Sequence, residues 1–178
     1  MKKYVLIWAA ICILFPAYAS ATEYQHKFEA KGMEVFWTID KEQIHVKLTA
    51  KTTGWVAIGF DPEKAMQGAD IIIGAVKKGK VKIQDHYGDR RRGHSPDKKL
   101  GGANHVLNPA GEEVDGFTTI SFSRALDSKD KWDKPIVAQG TNRIMIAYGS
   151  GKDSFKTRHK YRGVYDINYS TGETKKIK

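Results

Sequence analysis

The sequence predicts an all-β domain, a sandwich or a barrel, and three observations carry that reading. Apolar and polar residues alternate with a period of two over several segments. Other segments are short apolar runs closed at both ends by turn residues. No long stretch carries the 3.6-residue apolar spacing of an amphipathic helix.

The elements follow in order. Val35, Trp37 and Ile39 alternate with Glu34, Phe36 and Thr38, and Ile44, Val46 and Leu48 alternate with His45, Lys47 and Thr49. Both segments therefore read as half-buried strands, joined by the turn Asp40-Lys41-Glu42. Residues 54–60 and, after Asp70, 71–76 are short apolar runs bounded by turn residues, as buried strands are. Lys77-Lys78-Gly79-Lys80 makes a tight hairpin into a strand over 81–87. Residues 88–111 are polar, basic and broken by Gly and Pro, so one long loop is expected there, of the kind that often carries function. Strands resume at 117–122 and 143–148, with a short helical turn expected over 128–132. A last strand covers 164–169, and the lysine-rich end 175–178 is expected to fray.

The ends and the charge bound what the domain does. Met1-Lys2-Lys3, an uncharged apolar stretch over 4–16 and the small residues of Ala17-Tyr18-Ala19-Ser20-Ala21 have the order of a secretory signal. The apolar run is too short and too early for a membrane span. The expectation is that residues 1–21 leave as a signal peptide. Residues 22–178 then form one domain, soluble in the periplasm or outside the cell. Cys12 is the one cysteine among 178 residues and leaves with the signal. That excludes a disulfide, a thiolate nucleophile, a Cys-held zinc or iron–sulfur site and a C-x-x-C-H haem attachment. The formal charge is +10 and stays basic after Lys2 and Lys3 are lost. Export argues against nucleic acid, which leaves an acidic redox partner protein or an anionic membrane surface as the expected counterpart. Nucleophile-elbow, zinc-protease and P-loop motifs are all missing, so an electron carrier or binding module is expected rather than an enzyme.

Two places break the strand grammar in a way that chemistry uses. In 59–70 a buried strand ends, a Pro-containing loop follows, and Met66 precedes a Gly-x-Asp that opens the next strand. In 156–163, His159 lies among Lys156, Arg158, Lys160 and Arg162. A thioether with an imidazole is a low-spin haem axial pair. A loop methionine also serves as a gap-filler, and a lone histidine among cations as a solvated residue; the residues alone leave these open. His86 beside Asp85 could be a metal or haem ligand, but the strand alternation sets it opposite Asp85 and Tyr87, which favours a structural role. His94 and His105 could join Asp85 or Asp89 around a metal, although scattered loop histidines are more often solvated. Arg90, Arg91 and Arg92 suit either carboxylates or an acidic partner. Trp37, Trp55 and Trp132 are read as core or pocket wall.

The order of these features resembles a known family. Gly54-Trp55-Val56-Ala57-Ile58-Gly59-Phe60 looks like its strand entering the ligand loop. Met66-Gln67-Gly68-Ala69-Asp70 looks like its Met-x-Gly-x-Asp segment, Asp85-His86-Tyr87 like its Asp-x-Tyr, and His159-Lys160-Tyr161-Arg162-Gly163 like its late His before Arg-Gly. Together these are similar to the DOMON family, over roughly residues 25–172. The resemblance implies an immunoglobulin-like antiparallel β-sandwich carrying non-covalent haem b near one end. It puts the axial ligands at Met66 and His159, and the matching strand and His segment make Trp55 and Arg162 weaker contacts. It implies an electron-transfer cytochrome, or, as the family also allows, a haem-free module for a carbohydrate or small ligand. The cations around His159 would raise a haem's potential and steer an anionic partner. The run Arg90-Arg91-Arg92-Gly93-His94-Ser95-Pro96 departs from the family pattern.

Overall fold

The computed structural model of the protein describes residues 22–178, so the signal peptide expected over 1–21 lies outside the described residues. The described residues form twelve strands and one short helix. The strands are β1 (His26–Ala30), β2 (Met33–Asp40), β3 (Gln43–Ala50), β4 (Val56–Phe60), β5 (Asp70–Lys77), β6 (Lys80–Arg90) and β7 (Gly93–Pro96). After the helix α1 (Asp97–Leu100) come β8 (Leu107–Val114), β9 (Phe117–Ala125), β10 (Thr141–Gly149), β11 (His159–Asn168) and β12 (Thr174–Lys176).

Period-two alternation becomes a two-sheet sandwich because each sheet has one apolar face to bury. One sheet runs β1-β2-β3-β9-β8 and the other β12-β11-β10-β4-β5-β6-β7, every pairing antiparallel. Val35, Trp37, Ile44, Val46, Leu48, Ile120 and Phe122 of the first meet Val56, Ile58, Phe60, Ile72, Ile144, Ile146, Tyr165 and Ile167 of the second. Trp37 spends its one donor inside this core, Nε1 to the Tyr169 carbonyl at 2.9 Å. The predicted sandwich class is the one observed.

Four predicted details differ. The expected long loop 88–111 is largely structured: β6 continues to Arg90, β7 returns beside it, α1 follows, and β8 begins at Leu107. These are edge strands with no apolar stripe, so alternation could not announce them. β1, whose outward positions are polar, escaped for the same reason. The segment 128–132 holds side-chain-capped turns rather than a helix, with Asp130 N bonded to Ser128 Oγ and Trp132 N to Asp130 Oδ1. The lysine-rich end does not fray: Thr174–Lys176 pairs with β11, and Ile177 N donates to the Val164 carbonyl at 2.8 Å.

Candidate functional site

A sheet with one face on the core ordinarily turns polar residues outward. The seven-stranded sheet does not. Ala57 and Gly59 on β4, Ile71, Ile73 and Ala75 on β5, and Met145 and Ala147 on β10 face out, and most of these form a second buried apolar cluster with Trp55 and Ala69. Met66 and Phe155 pack onto this cluster from the flanking loops. The unbroken apolar runs of β4 and β5 are explained by burial on both faces. The outer floor is small-chained at Ala57, Gly59, Ala75 and Ala147, and Met145 fills the space over Gly59.

The register places the site residues in rows across this face. His159 pairs with Gly149, whose N–H donates to the Trp55 carbonyl at 2.8 Å. A Cβ on Gly149 would lie 2.6 Å from Trp55 Nε1, so only glycine lets the indole cross this strand in the row of His159. Trp55 Nε1 donates to Thr157 Oγ1 at 3.0 Å, which ties the segment before β11 to the face. In the next row Arg162, exposed, pairs with Ala147, then Ala57, Ile73 and Gln84. Val164, Met145, Gly59, Ile71 and His86 form the row after.

Met66 lies beyond that row, in a loop fastened to the end of β6. Its N–H donates to the Arg91 carbonyl at 3.3 Å, and its carbonyl accepts from Ala69 N at 3.1 Å. Gly88 and the Met66 loop touch so closely that a Cβ on Gly88 would stand 1.6 Å from Met66 O. Asp61 and Ala65 in this loop have φ of +47° and +58°, a conformation that non-glycine residues adopt at a cost. Trp55, His159 and Arg162 are thus brought together. Met66 shares their face but lies beyond the third row, at the opposite end of it from His159. The triple-arginine segment acts here through its backbone, Arg91 holding Met66.

Burial, and then the charges of Arg162 and Arg158, hold the His159 imidazole below the usual histidine range. It is therefore neutral at physiological pH, with a lone pair free for a metal. An open hollow of ≈ 430 Å³ lies over Arg158, His159, Lys160, Tyr161 and Arg162. The donor set fits haem b in its chemistry: an apolar floor for the ring, a thioether, a neutral imidazole, and exposed guanidinium groups for carboxylates.

His86, weighed from sequence as a metal or haem ligand but read as structural, is part of this face. Its ring meets Phe155 edge-on with centroids 6.1 Å apart, and its Nδ1 is 2.8 Å from His94 Nδ1. Its Nε2 is buried without a partner. The alternation opposite Asp85 and Tyr87 holds; the overlooked signal was the Ile71-Ile72-Ile73 run, which marks the outer face of the neighbouring strand as buried. A second polar centre lies between the sheets where β5, β6 and β9 meet. Arg124 is ion-paired with Asp70 there, and Asp85, Asp97 and Asp133 are buried close by. Burial, then the charges of Asp70 and Asp133, push Asp85 up to about 9.

A model of the DOMON domain family matches residues 29–149, which takes in Trp55 and Met66 and stops before His159. The mouse DBH-like monooxygenase protein 1 is 30% identical over 173 residues, which is 94% of this chain and 26% of the relative. The human DBH-like monooxygenase protein 1 is 34% identical over 135 residues, 76% of this chain and 21% of the relative. The chain thus spans about a quarter of these relatives or less. Among solved structures, the cytochrome b domain of pyranose dehydrogenase from Coprinopsis cinerea superposes with a TM-score of 0.66 at 12% identity, covering 82% of each chain. That likeness reaches the same fold by a very different sequence. On the family match and the human relative together, the chain belongs to the DOMON domain family.

Proposed function

We propose that this protein is an exported haem b-binding domain that carries electrons. The observation that carries the reading is the buried apolar outer face of the seven-stranded sheet, with a thioether and a neutral imidazole at its margins. When bound, haem supplies a one-electron ferric–ferrous couple. Met66 and His159 would hold it. Trp55 would wall the cavity, and Arg162 with Arg158 would receive propionates. Met145, Ala57 and Ile73 would exclude water from the ring. The signal-like residues 1–21 support export, and a chain without catalytic motifs supports a carrier rather than an enzyme.

A second reading, a haem-free module for a carbohydrate or small ligand, has its own support. Met66 and His159 lie at opposite ends of the face, and Phe155 already rests on the face itself. One experiment separates the two. The purified protein, expressed with haem available, is scanned air-oxidised and then dithionite-reduced. A narrow α band on reduction, unmoved by carbon monoxide, is expected, and Met66→Ala and His159→Ala should each abolish the low-spin spectrum. Wild-type-like spectra in both variants would overturn the ligand assignment. A protein that stays colourless with added haemin is the haem-free module.

A further inference from the structure

The polar centre between the sheets has more negative charge than the protein balances. Asp70, Asp85, Asp97 and Asp133 are all at least nine-tenths buried, and one guanidinium, Arg124, faces them. Arg124 is committed to Asp70, which also accepts from Lys134 N at 3.0 Å, and stands 3.8 Å from Asp133 Oδ2. Buried carboxylates without hydrogen bonds or counter-charge are costly, and native proteins resolve them with a partner, a proton or a metal.

The geometry points to a metal. Asp85, His105 and Asp133 each offer a ligand atom, and the three atoms lie within 4.8 Å of one another. His105 Nδ1 is 3.1 Å from Asp133 Oδ2, yet neither atom has a hydrogen bond. Asp85 Oδ2 is fixed by the His105 N–H at 3.0 Å, while Oδ1 is buried and unpartnered. The backbone N–H of Asp85 is held by Asn104 Oδ1 at 2.8 Å, so two contacts lock the carboxylate's place beside His105. An independent observation comes from Asp97, which opens α1 and is not one of the three. It is fully buried, both its carboxylate oxygens lack a partner, and Asp70 and Asp133 are its strongest charged neighbours.

We propose that Asp85, His105 and Asp133, with Asp97 beside them, bind one divalent transition-metal cation. Two carboxylates and an imidazole are the donors of zinc or manganese, whereas calcium takes oxygen alone. Zinc fits best, since three protein ligands leave a fourth tetrahedral position for water. The cation would pin the 101–106 and 130–134 segments to β6, across the end of the sandwich. The site is separate from the apolar outer face and does not rest on the haem reading.

The test uses the whole mature protein, stripped with EDTA and titrated with zinc, manganese or calcium chloride. Calorimetry is expected to give one zinc per chain, and zinc at a hundredfold excess over Kd should raise the unfolding midpoint by roughly 5–10 °C. His105→Gln and Asp133→Asn should each lose this binding, and the Met66→Ala/His159→Ala double variant should keep it. Should either ligand variant fail to fold, the wild-type titration decides alone. A midpoint unmoved by zinc and manganese, a response to calcium only, or equal zinc binding in the ligand variants overturns the proposal.

Discussion

At the scale of single residues, the His86–His94 contact sets a pH dependence. The Nδ1 atoms are 2.8 Å apart, so one carries the shared proton and the other accepts it. A second proton would put two donors face to face. Burial, then the charges of His94 and Lys82, bring His86 down to about 4, and burial, then Arg90, lowers His94 as well. Both groups ionise more readily in the unfolded chain, whose histidines titrate near 6.5. The pair's stabilising contribution is therefore present above about pH 6.5 and is lost as the pH falls toward 4. His94→Gln removes one of the two titrations and keeps a polar partner for His86. Thermal midpoints of the wild type and His94→Gln are expected to differ most near pH 7.5 and to converge near pH 4.5. A gap that stays constant with pH would show that the pair does not titrate with folding. Neither histidine revealed this from sequence, because the contact is made across β6 and β7, a pairing with no apolar pattern to betray it.

At the scale of elements, apolar pattern made the sandwich legible and missed its borders. β2, β3, β4, β5, β9, β10 and β11 each bury a stripe or a continuous run, and every one was readable. β8 and β12 pair through their backbones while most of their side chains face water, and β7 is half-buried with no apolar stripe, so nothing in side-chain order marks them. Trp55, His159 and Arg162 were legible as a set because their order along the chain resembles a family. Asp97 and Asp133 were not, since the sandwich's end gathers them from segments with no shared motif. Two predictions belong here. Gly88→Ala drives a methyl into the Met66 carbonyl, so the Met66 loop must move while β6 remains paired. The variant is expected to stay folded by circular dichroism and to lose the low-spin spectrum as Met66→Ala does; an unaltered spectrum would mean that the loop's position is immaterial to ligation. Deleting residues 174–178 uncovers the backbone edge of β11 and removes lysines that discourage edge pairing. Each lost backbone bond costs roughly 0.5–1.5 kcal/mol. A midpoint lower by several degrees and more light scattering on heating are expected, and a deletion variant matching wild type in both would show that the end contributes nothing to the sheet.

At the scale of the molecule, the formal charge of +10 is unevenly useful. Arg158, Lys160 and Arg162 are exposed and line the hollow at His159, and the exposed Lys152 and Lys156 precede them in the chain, so positive charge gathers where, in the proposed carrier, an electron would enter or leave. On the opposite sheet, Lys27 and Lys47 lie over aromatic rings instead, Lys47 Nζ at 4.2 Å from the Phe36 ring centre. Fields of this kind change association rates far more than they change stability. The haem-loaded protein should therefore react faster with an anionic oxidant such as ferricyanide than with a cationic cobalt complex of similar potential. Screening lengths shrink from about 30 Å at 0.01 M salt to about 3 Å at 1 M. The ferricyanide rate should fall steeply over that range, and the cationic rate should rise. Lys156→Glu/Lys160→Glu, which touches no proposed ligand, should slow ferricyanide by about tenfold at low salt and not at high salt. Lys27→Glu/Lys47→Glu on the far sheet should leave the rate nearly unchanged, since it alters net charge by the same amount but lies away from His159. Equal slowing by Lys27→Glu/Lys47→Glu would mean that net charge alone governs the encounter. A salt-independent rate would mean that electrons do not leave through this face.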